Sequence, residues 1–383
     1  MSTKRWFLHS GIQNVNKDHE IEGSFNSWFD ADKNNYYYVY SEITGYGITT
    51  LVFLNRHYPE EILLERAKMA AEWTINFAMH ELGGVKTREY HYEADNQENY
   101  SFDSEIIFSF DTGMVLNGMI SLYNEIKDEK YLGASIKIAD FLINKMQKED
   151  GSFYATLNAK ESSLGDKEDK WSNQSGSFHS KLAIGLIDLY EVTKKEEYKK
   201  SAIAICEFAL KQQMLEGRFI SFRDSINTHM HPNAYSAEGL IYAAVKLNIP
   251  RYMESCKKAV EWALSNQLES GGVPPIFMAS ENKFSNNERT DTLAQILRLG
   301  ILLIRYNQIS DDYLKKLEKL KDHLISFQEK EGSQKGGFRY GAEEDGTELY
   351  HINSWCSMFS VQALLLYRKY IDEKQNIDVG LLI

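Results

Sequence analysis

The chain has 383 residues, 43% of them hydrophobic, and a formal net charge of −12. This suffices for a large buried core, and the negative balance excludes general affinity for nucleic acid or anionic membrane while leaving room for a locally basic cleft. The three cysteines (Cys206, Cys256, Cys356) lie far apart and no CxxC or HExxH spacing occurs, so the expectation is reduced core thiols, no metal and no cofactor.

Lys4 and Arg5 near the N-terminus are not followed by an apolar run. No stretch reaches the ~20 apolar residues that cross a bilayer, so a soluble cytoplasmic protein is expected. Residues 1–40 carry Trp6, Phe7, Phe25, Trp28, Phe29 and Tyr36-Tyr37-Tyr38 between polar turns and show no repeat. They read as an irregular aromatic arm on a single domain spanning 41–383.

From residue 41 the pattern is helical and recurrent. The first hairpin opens at Ser41-Glu42-Ile43-Thr44-Gly45-Tyr46, returns from Pro59-Glu60-Glu61 and ends at Gly83-Gly84. Proline and acids suit that first turn. The second opens at Phe110-Asp111-Thr112-Gly113, returns from Tyr131 to Gln147 and turns at Gly151. The third begins at Ser177-Phe178-His179-Ser180 and returns from Glu196 to Met214. The fourth begins at His231-Pro232-Asn233-Ala234-Tyr235 and returns from Pro250 to Gln267. The fifth begins at Arg289-Thr290-Asp291-Thr292 and returns from Asp311 to Gln328. The sixth, from Asn353-Ser354-Trp355-Cys356, supplies one helix to Tyr370 with no clear return.

Each return helix ends in a glycine turn followed by Val85, Phe153, Phe219, Val273 or Phe338. Glycine supplies the left-handed cap and the apolar residue closes on the helix. Tyr131, Tyr198, Tyr252 and Tyr313 precede Phe141, Phe208, Trp262 and His323 by ten residues each, close to three helical turns, so each pair shares a face. The repeat is too long for the ~33–34 residues of ankyrin or tetratricopeptide units. Two long polar loops, 86–109 and 154–176, carry Tyr90, Tyr92, Tyr100 and Trp171. Loops of that length in a compact domain are commonly functional or disordered.

The alternating helices, the glycine turns such as Lys148-Glu149-Asp150-Gly151-Ser152-Phe153 and the polar clusters opening each first helix resemble the (α/α) toroids. The similarity is to six-hairpin glycosidase-like proteins and their uronate-processing relatives, nearest to toroids found among polysaccharide-biosynthesis genes. It covers about residues 41–370. The expected fold is therefore all-α, a toroid of five full hairpins plus a sixth inner helix. The resemblance implies that the first helix of each pair lines a central cavity, with the chemistry where those helices begin. Helix N-termini also favour anionic ligands such as a uronate carboxylate.

By that position, Asp111, Glu42, His179 and Asp291 are the candidate acid/base residues, Asp111 with Glu42 or His179 foremost. Paired carboxylates suit glycoside hydrolysis, where one protonates the leaving oxygen and the other activates water or attacks the sugar. Each also has an ordinary reading as a cap, salt-bridge partner or core histidine. Tyr46, Tyr235, Tyr340, Tyr350, Trp171 and Trp355 have faces that stack on sugar rings. Arg223, Arg289 and Arg339 suit a carboxylate, and His229, His231 and Asn233 are further ligand contacts. A glycoside hydrolase acting on an oligosaccharide or polysaccharide, uronate-containing ones included, is the expectation. A uronate lyase or C5-epimerase using Tyr or His with Arg is the alternative, and a non-catalytic glycan- or protein-binding scaffold the third. An Asp-x-Asp-Asp acid motif, a zinc-ligating Cys and Cys-His pair and a glycine-rich phosphate loop are all absent from the sequence, which removes terpene cyclases, lanthionine cyclases and nucleotide-binding enzymes.

Overall fold

The computed structural model of the protein describes residues 2–15, 20–89, 105–167, 170–222 and 224–383. Among the described residues twelve α-helices alternate between an inner and an outer ring. The inner helices are α2 (Ser41–His57), α4 (Ser109–Ile126), α6 (Ala183–Thr193, entered through a tight turn Ser177–Leu182), α8 (Met230–Leu247), α10 (Thr290–Arg305) and α12 (Ser354–Tyr367). Each is buried nearly all round, as a helix enclosed by a ring must be. The outer helices α3 (Glu61–Trp73), α5 (Glu129–Phe141), α7 (Glu196–Lys211), α9 (Pro250–Ser265) and α11 (Leu314–Ser326) bury one stripe only.

The sixth outer position is filled by α1 (Ser2–His9). Trp6 Nε1 donates to Gln334 Oε1 at 2.8 Å, just after α11. On the other side Gln13 Nε2 donates to Arg66 O in α3 at 2.9 Å. The expected irregular arm thus holds the missing return helix, and the ring closes as six hairpins rather than five and a half. Residues Trp6, Phe7, Ile12 and Phe25 belong to the same buried core as the toroid.

The closure was concealed because α1 is cut from its partner α12 by the whole chain. Its turn is nevertheless the repeat's turn. Gly23-Ser24-Phe25 matches Gly151-Ser152-Phe153, and Gln13 pairs with Phe25 as Gln147, Gln213 and Gln328 pair with Phe153, Phe219 and Phe338. Gly23 has φ +95°, and a Cβ there would sit 2.2 Å from Met69 O, so no L side chain fits. In each of these units the glutamine amide donates both to its own glycine turn and to the next outer helix: Gln13, Gln147, Gln213 and Gln267 reach Arg66 O, Ser201 O, Ser255 O and Lys316 O, and Gln328 reaches Thr3 Oγ1.

The repeated outer-helix tyrosines do similar work. Tyr131, Tyr198, Tyr252 and Tyr313 donate to Glu72, Asp140, Glu207 and Glu261 of the preceding outer helix at 2.5–3.4 Å. Polar residues in the fourth position of inner helices bind the turns too. Thr44, Thr112, Asn233 and Ser357 accept from the backbone N–H of Phe25, Val85, Phe219 and Phe338.

Short strands, which the helical periodicity did not announce, line the rim where the inner helices begin. Strands β3 (Val39–Tyr40), β4 (Ile106–Phe108), β5 (Thr228–His229), β6 (Glu288–Arg289) and β8 (Glu348–Asn353) each run directly into an inner helix. A five-stranded antiparallel sheet joins β6, β7 (Phe338–Ala342), β8, β1 (Trp28–Asp30) and β2 (Asn35–Tyr36). Partway along the inner helices residues 381–383 occupy the ring's interior: Asn117, Lys181, Arg298 and Gln362 donate to their carbonyls. Among the described residues no helix is long and apolar enough to cross a membrane.

Candidate active site

A cavity of about 260 Å³ opens at the rim, lined by aromatic rings around a small charged group. The second residue of an inner helix supplies much of it: Glu42, Phe110, His231 and Trp355. The strand residue just before the helix supplies Tyr40, Phe108, Arg289 and Asn353. A polar group placed there faces the axis because the entering strand aims the first helical turn at it.

Glu42 and Asp111 stand together in this lining. Asp111 is 3% exposed and accepts a hydrogen bond from Thr87 Oγ1. It lies inside the first turn of α4, whose preceding residue Phe108 makes no side-chain cap, so it is not a helix cap. Burial, then the charge of Glu42, holds the Asp111 carboxyl well above its ordinary range, against hydrogen bonds from Thr87 and Tyr40 and the charge of Arg88. Burial also raises Glu42, opposed by hydrogen bonds from Tyr40 and Tyr46 and by the charges of Lys181 and Arg88. Two buried carboxyls that oppose each other's charge do not both ionise readily.

His231 lines the opposite wall, packed on Tyr235 with ring centroids 4.3 Å apart. Its Nδ1 lies 2.7 Å from Gln295 Oε1; donating there leaves Nε2 as the lone-pair nitrogen. Burial, partly offset by Asp291, pushes its pKa down to about 4, so the ring is neutral at pH 7. Trp28, Trp171, Tyr340, Trp355 and His351 complete the wall, and Arg289 lies over Tyr340, 5.0 Å from its centroid.

Asp291 behaves differently from Asp111. It is fully buried, pairs with Arg289 through both oxygens at 2.6 and 3.2 Å, and accepts from Trp355 Nε1 at 2.9 Å. Burial works against its charge, but Arg289, His231 and these hydrogen bonds hold it below the usual carboxylate range. It is not part of the cavity lining and holds Arg289 and Trp355 in place. His179 occupies the repeat position equivalent to Asp111, yet it is fully buried among Phe110, Phe153 and Phe178, its pKa pressed to about 3 by burial. It too lies outside the cavity lining.

Of the expected ligand contacts, the cavity gathers Trp171, His231, Tyr235, Arg289, Tyr340 and Trp355. His229 faces a neighbouring pocket that also contains Trp171 and His231. Asn233 is committed to Phe219 N, and Tyr46 is buried under the floor, 3.0 Å from the Tyr235 hydroxyl. Arg339 is tied to Glu348 and Ser326 O in the rim sheet, and Tyr350 is exposed away from the cavity. Arg223, Tyr90, Tyr92 and Tyr100 lie outside the described residues. Trp28 and Tyr38 of the N-terminal aromatic arm also line the cavity, as expected of that arm's rings. Sequence reasoning missed Arg88, Tyr40 and His351. Tyr40 and Arg289 share one signal, the residue immediately before an inner helix. Arg88 and His351 come from separate strands and have none.

With this geometry in view, the protein is an (α/α) toroid of six helical hairpins. Residues 83–231, less than half the chain, match the family model described as Glycosyl Hydrolase Family 88. No curated protein matches. Among solved structures, a sugar epimerase from a ruminal bacterium is 12% identical with TM-score 0.76, over 98% of this chain and 97% of that one. Cellobiose 2-epimerase from Bacillus thermoamylovorans is 11% identical with TM-score 0.75, over 94% and 99%. The unsaturated glucuronyl hydrolase of a Bacillus species, responsible for glycosaminoglycan degradation, is 15% identical with TM-score 0.64, over 97% of each. The resemblance to glycosidase-like and uronate-processing toroids is borne out at the level of the fold.

Proposed function

We propose that the protein is a carbohydrate-active enzyme, a glycoside hydrolase whose working groups are Asp111 and Glu42. The observation that carries this reading is that two buried carboxyls, Asp111 and Glu42, line one aromatic cavity. With one carboxyl protonated and the other ionised, they provide an acid for the leaving oxygen and a base for water. Trp28, Trp171, Tyr340 and Trp355 offer ring faces for a sugar. Arg88 and Arg289 give the cavity positive charge suited to a uronate carboxylate. The partial match to a glycosyl hydrolase family and the carbohydrate activities of the structurally similar enzymes support carbohydrate chemistry. The substrate is an oligosaccharide or polysaccharide, with uronate-containing chains favoured by the arginines.

A second reading is favoured by one observation, the 2.7 Å contact of His231 Nδ1 with Gln295 Oε1 in the cavity wall. An imidazole that donates there presents Nε2 as a base, and beside Arg289 and Tyr235 this suits removal of a proton next to a carboxylate, the chemistry of a uronate lyase or epimerase. Incubation with neutral and uronate-containing oligosaccharides in ¹⁸O-labelled and in deuterated water separates the two. Cleavage with one ¹⁸O incorporated supports the hydrolase. An unsaturated product end, or deuterium uptake without cleavage, overturns it in favour of proton abstraction.

A further inference from the structure

The cavity does not end at its His231 wall. A second compartment of about 430 Å³ adjoins it and shares Trp171, Ser172, His231, Arg289 and Tyr340 with it. The remaining residues of this compartment take no part in the proposed chemistry. The strands that feed α8 and α10 build it. His229 of β5 stands directly opposite Ile276 of the short strand Ile276–Met278, and opposed residues of an antiparallel pair project to one face. Phe222 packs edge-on against the His229 ring, with centroids 5.2 Å apart. Ala342 of β7 and Leu349 of β8 add apolar surface.

The charges around this compartment are already engaged or stand at its mouth. Glu288 accepts from Ser270 Oγ at 2.8 Å and is paired with His323. Arg289 is held by Asp291 at 2.6 and 3.2 Å. Lys170 and Glu343 are exposed and opposite in sign. The His229 imidazole has no hydrogen-bond partner among the described residues. Burial and the nearby Arg289 press its pKa to about 4, so the ring is neutral at pH 7.

We propose that this compartment is a second sugar subsite, which takes an uncharged ring joined to the ring held beside Asp111 and Glu42. The proposal rests on the reading of the first cavity as a glycan site. Phe222, Trp171 and Tyr340 suit the C–H faces of a sugar. A neutral imidazole meets hydroxyls as a donor at one nitrogen and an acceptor at the other. A second carboxylate there would desolvate beside Glu288 and an arginine already paired with Asp291. The substrate class that follows is a uronate joined to a neutral sugar.

The test reads binding and does not depend on cleavage. Asp111→Asn protein is titrated by calorimetry with free glucuronate and galacturonate. It is then titrated with disaccharides of each, in α and β linkage, whose other ring is neutral or is a second uronate. The best uronate–neutral disaccharide is expected to bind about tenfold more tightly than the free uronate or the diuronate. Adding Phe222→Ala weakens that disaccharide about tenfold and leaves the free uronate unchanged. Ala342→Trp, which fills the compartment, acts in the same direction. The proposal is overturned if no probe binds, if the disaccharide binds no more tightly than the free uronate, or if the diuronate is preferred. It is equally overturned if folded Phe222→Ala and Ala342→Trp proteins both bind the disaccharide like their parent. The expected binding pattern without cleavage by the wild-type protein would sink the hydrolase reading alone. Cleavage with unchanged binding in both variants would sink the subsite alone.

Discussion

Asp111 and Asp291 both stand in the first turn of an inner helix, in the second and fifth hairpins, yet their surroundings give them opposite duties. Asp111 has a hydroxyl donor and a second carboxyl beside it. Asp291 has a two-pronged arginine and an indole N–H. Asp291→Asn strips Arg289 of its charge partner and is expected to lower unfolding stability by about 3–5 kcal/mol, read by denaturant titration. Asp111→Asn removes a carboxyl whose charge is disfavoured by burial, so its melting temperature should stay level or rise while turnover falls. The sequence showed both residues and could not separate them. Arg289 stood in view two residues from Asp291, but Thr87 for the one aspartate and Trp355 for the other arrive from distant segments.

The element scale explains why polar clusters at helix starts were only half a guide. Glycine turns, return helices and most inner-helix starts were legible because periodicity and left-handed caps are local. The polar residues carry two messages in one turn. The second position lines the cavity in Glu42 and His231 but braces the wall from behind in Asp291, and the fourth fastens the neighbouring turn, as in Asn233 and Ser357. His179, one place before a fourth position, lies among phenylalanines instead. The glutamine braces provide a test of this construction. Gln213→Leu leaves Gly217 O and Ser255 O without their donor and should cost about 1–3 kcal/mol. Met79 stands where the glutamine would be in the first hairpin, and Met79→Leu should cost less than about 1.5 kcal/mol.

For the whole molecule, closure by α1 and the core it shares with α12 make the toroid one cooperative unit. The missing return helix was invisible to a reading along the chain because its partner lies at the opposite end, although Gly23-Ser24-Phe25 carried the repeat's signature. The buried histidines give this unit a pH response. His231 and His179 have folded pKa values near 4 and 3, below the ordinary 6.5. Depressed values mean that the unfolded chain binds more protons, so this contribution is complete above pH 6.5 and is lost as pH falls toward 4. Asp188, raised by burial to about 6, works the other way, stabilising at low pH and losing that contribution as pH rises through 6. The melting temperature should fall between pH 6.5 and 4, and His179→Phe should fall less steeply; calorimetry across that range measures both.

The central claim is that Asp111 and Glu42 act together on a glycan. Its most direct measurement is turnover of a cleaved oligosaccharide by wild type, Asp111→Asn, Glu42→Gln and the double variant, each shown to be folded by circular dichroism. The account predicts that either single change costs about 10²–10⁴-fold in turnover and that the double variant is little worse than the poorer single one, as for groups that act as a unit. A folded Asp111→Asn protein that turns over at the wild-type rate would contradict it.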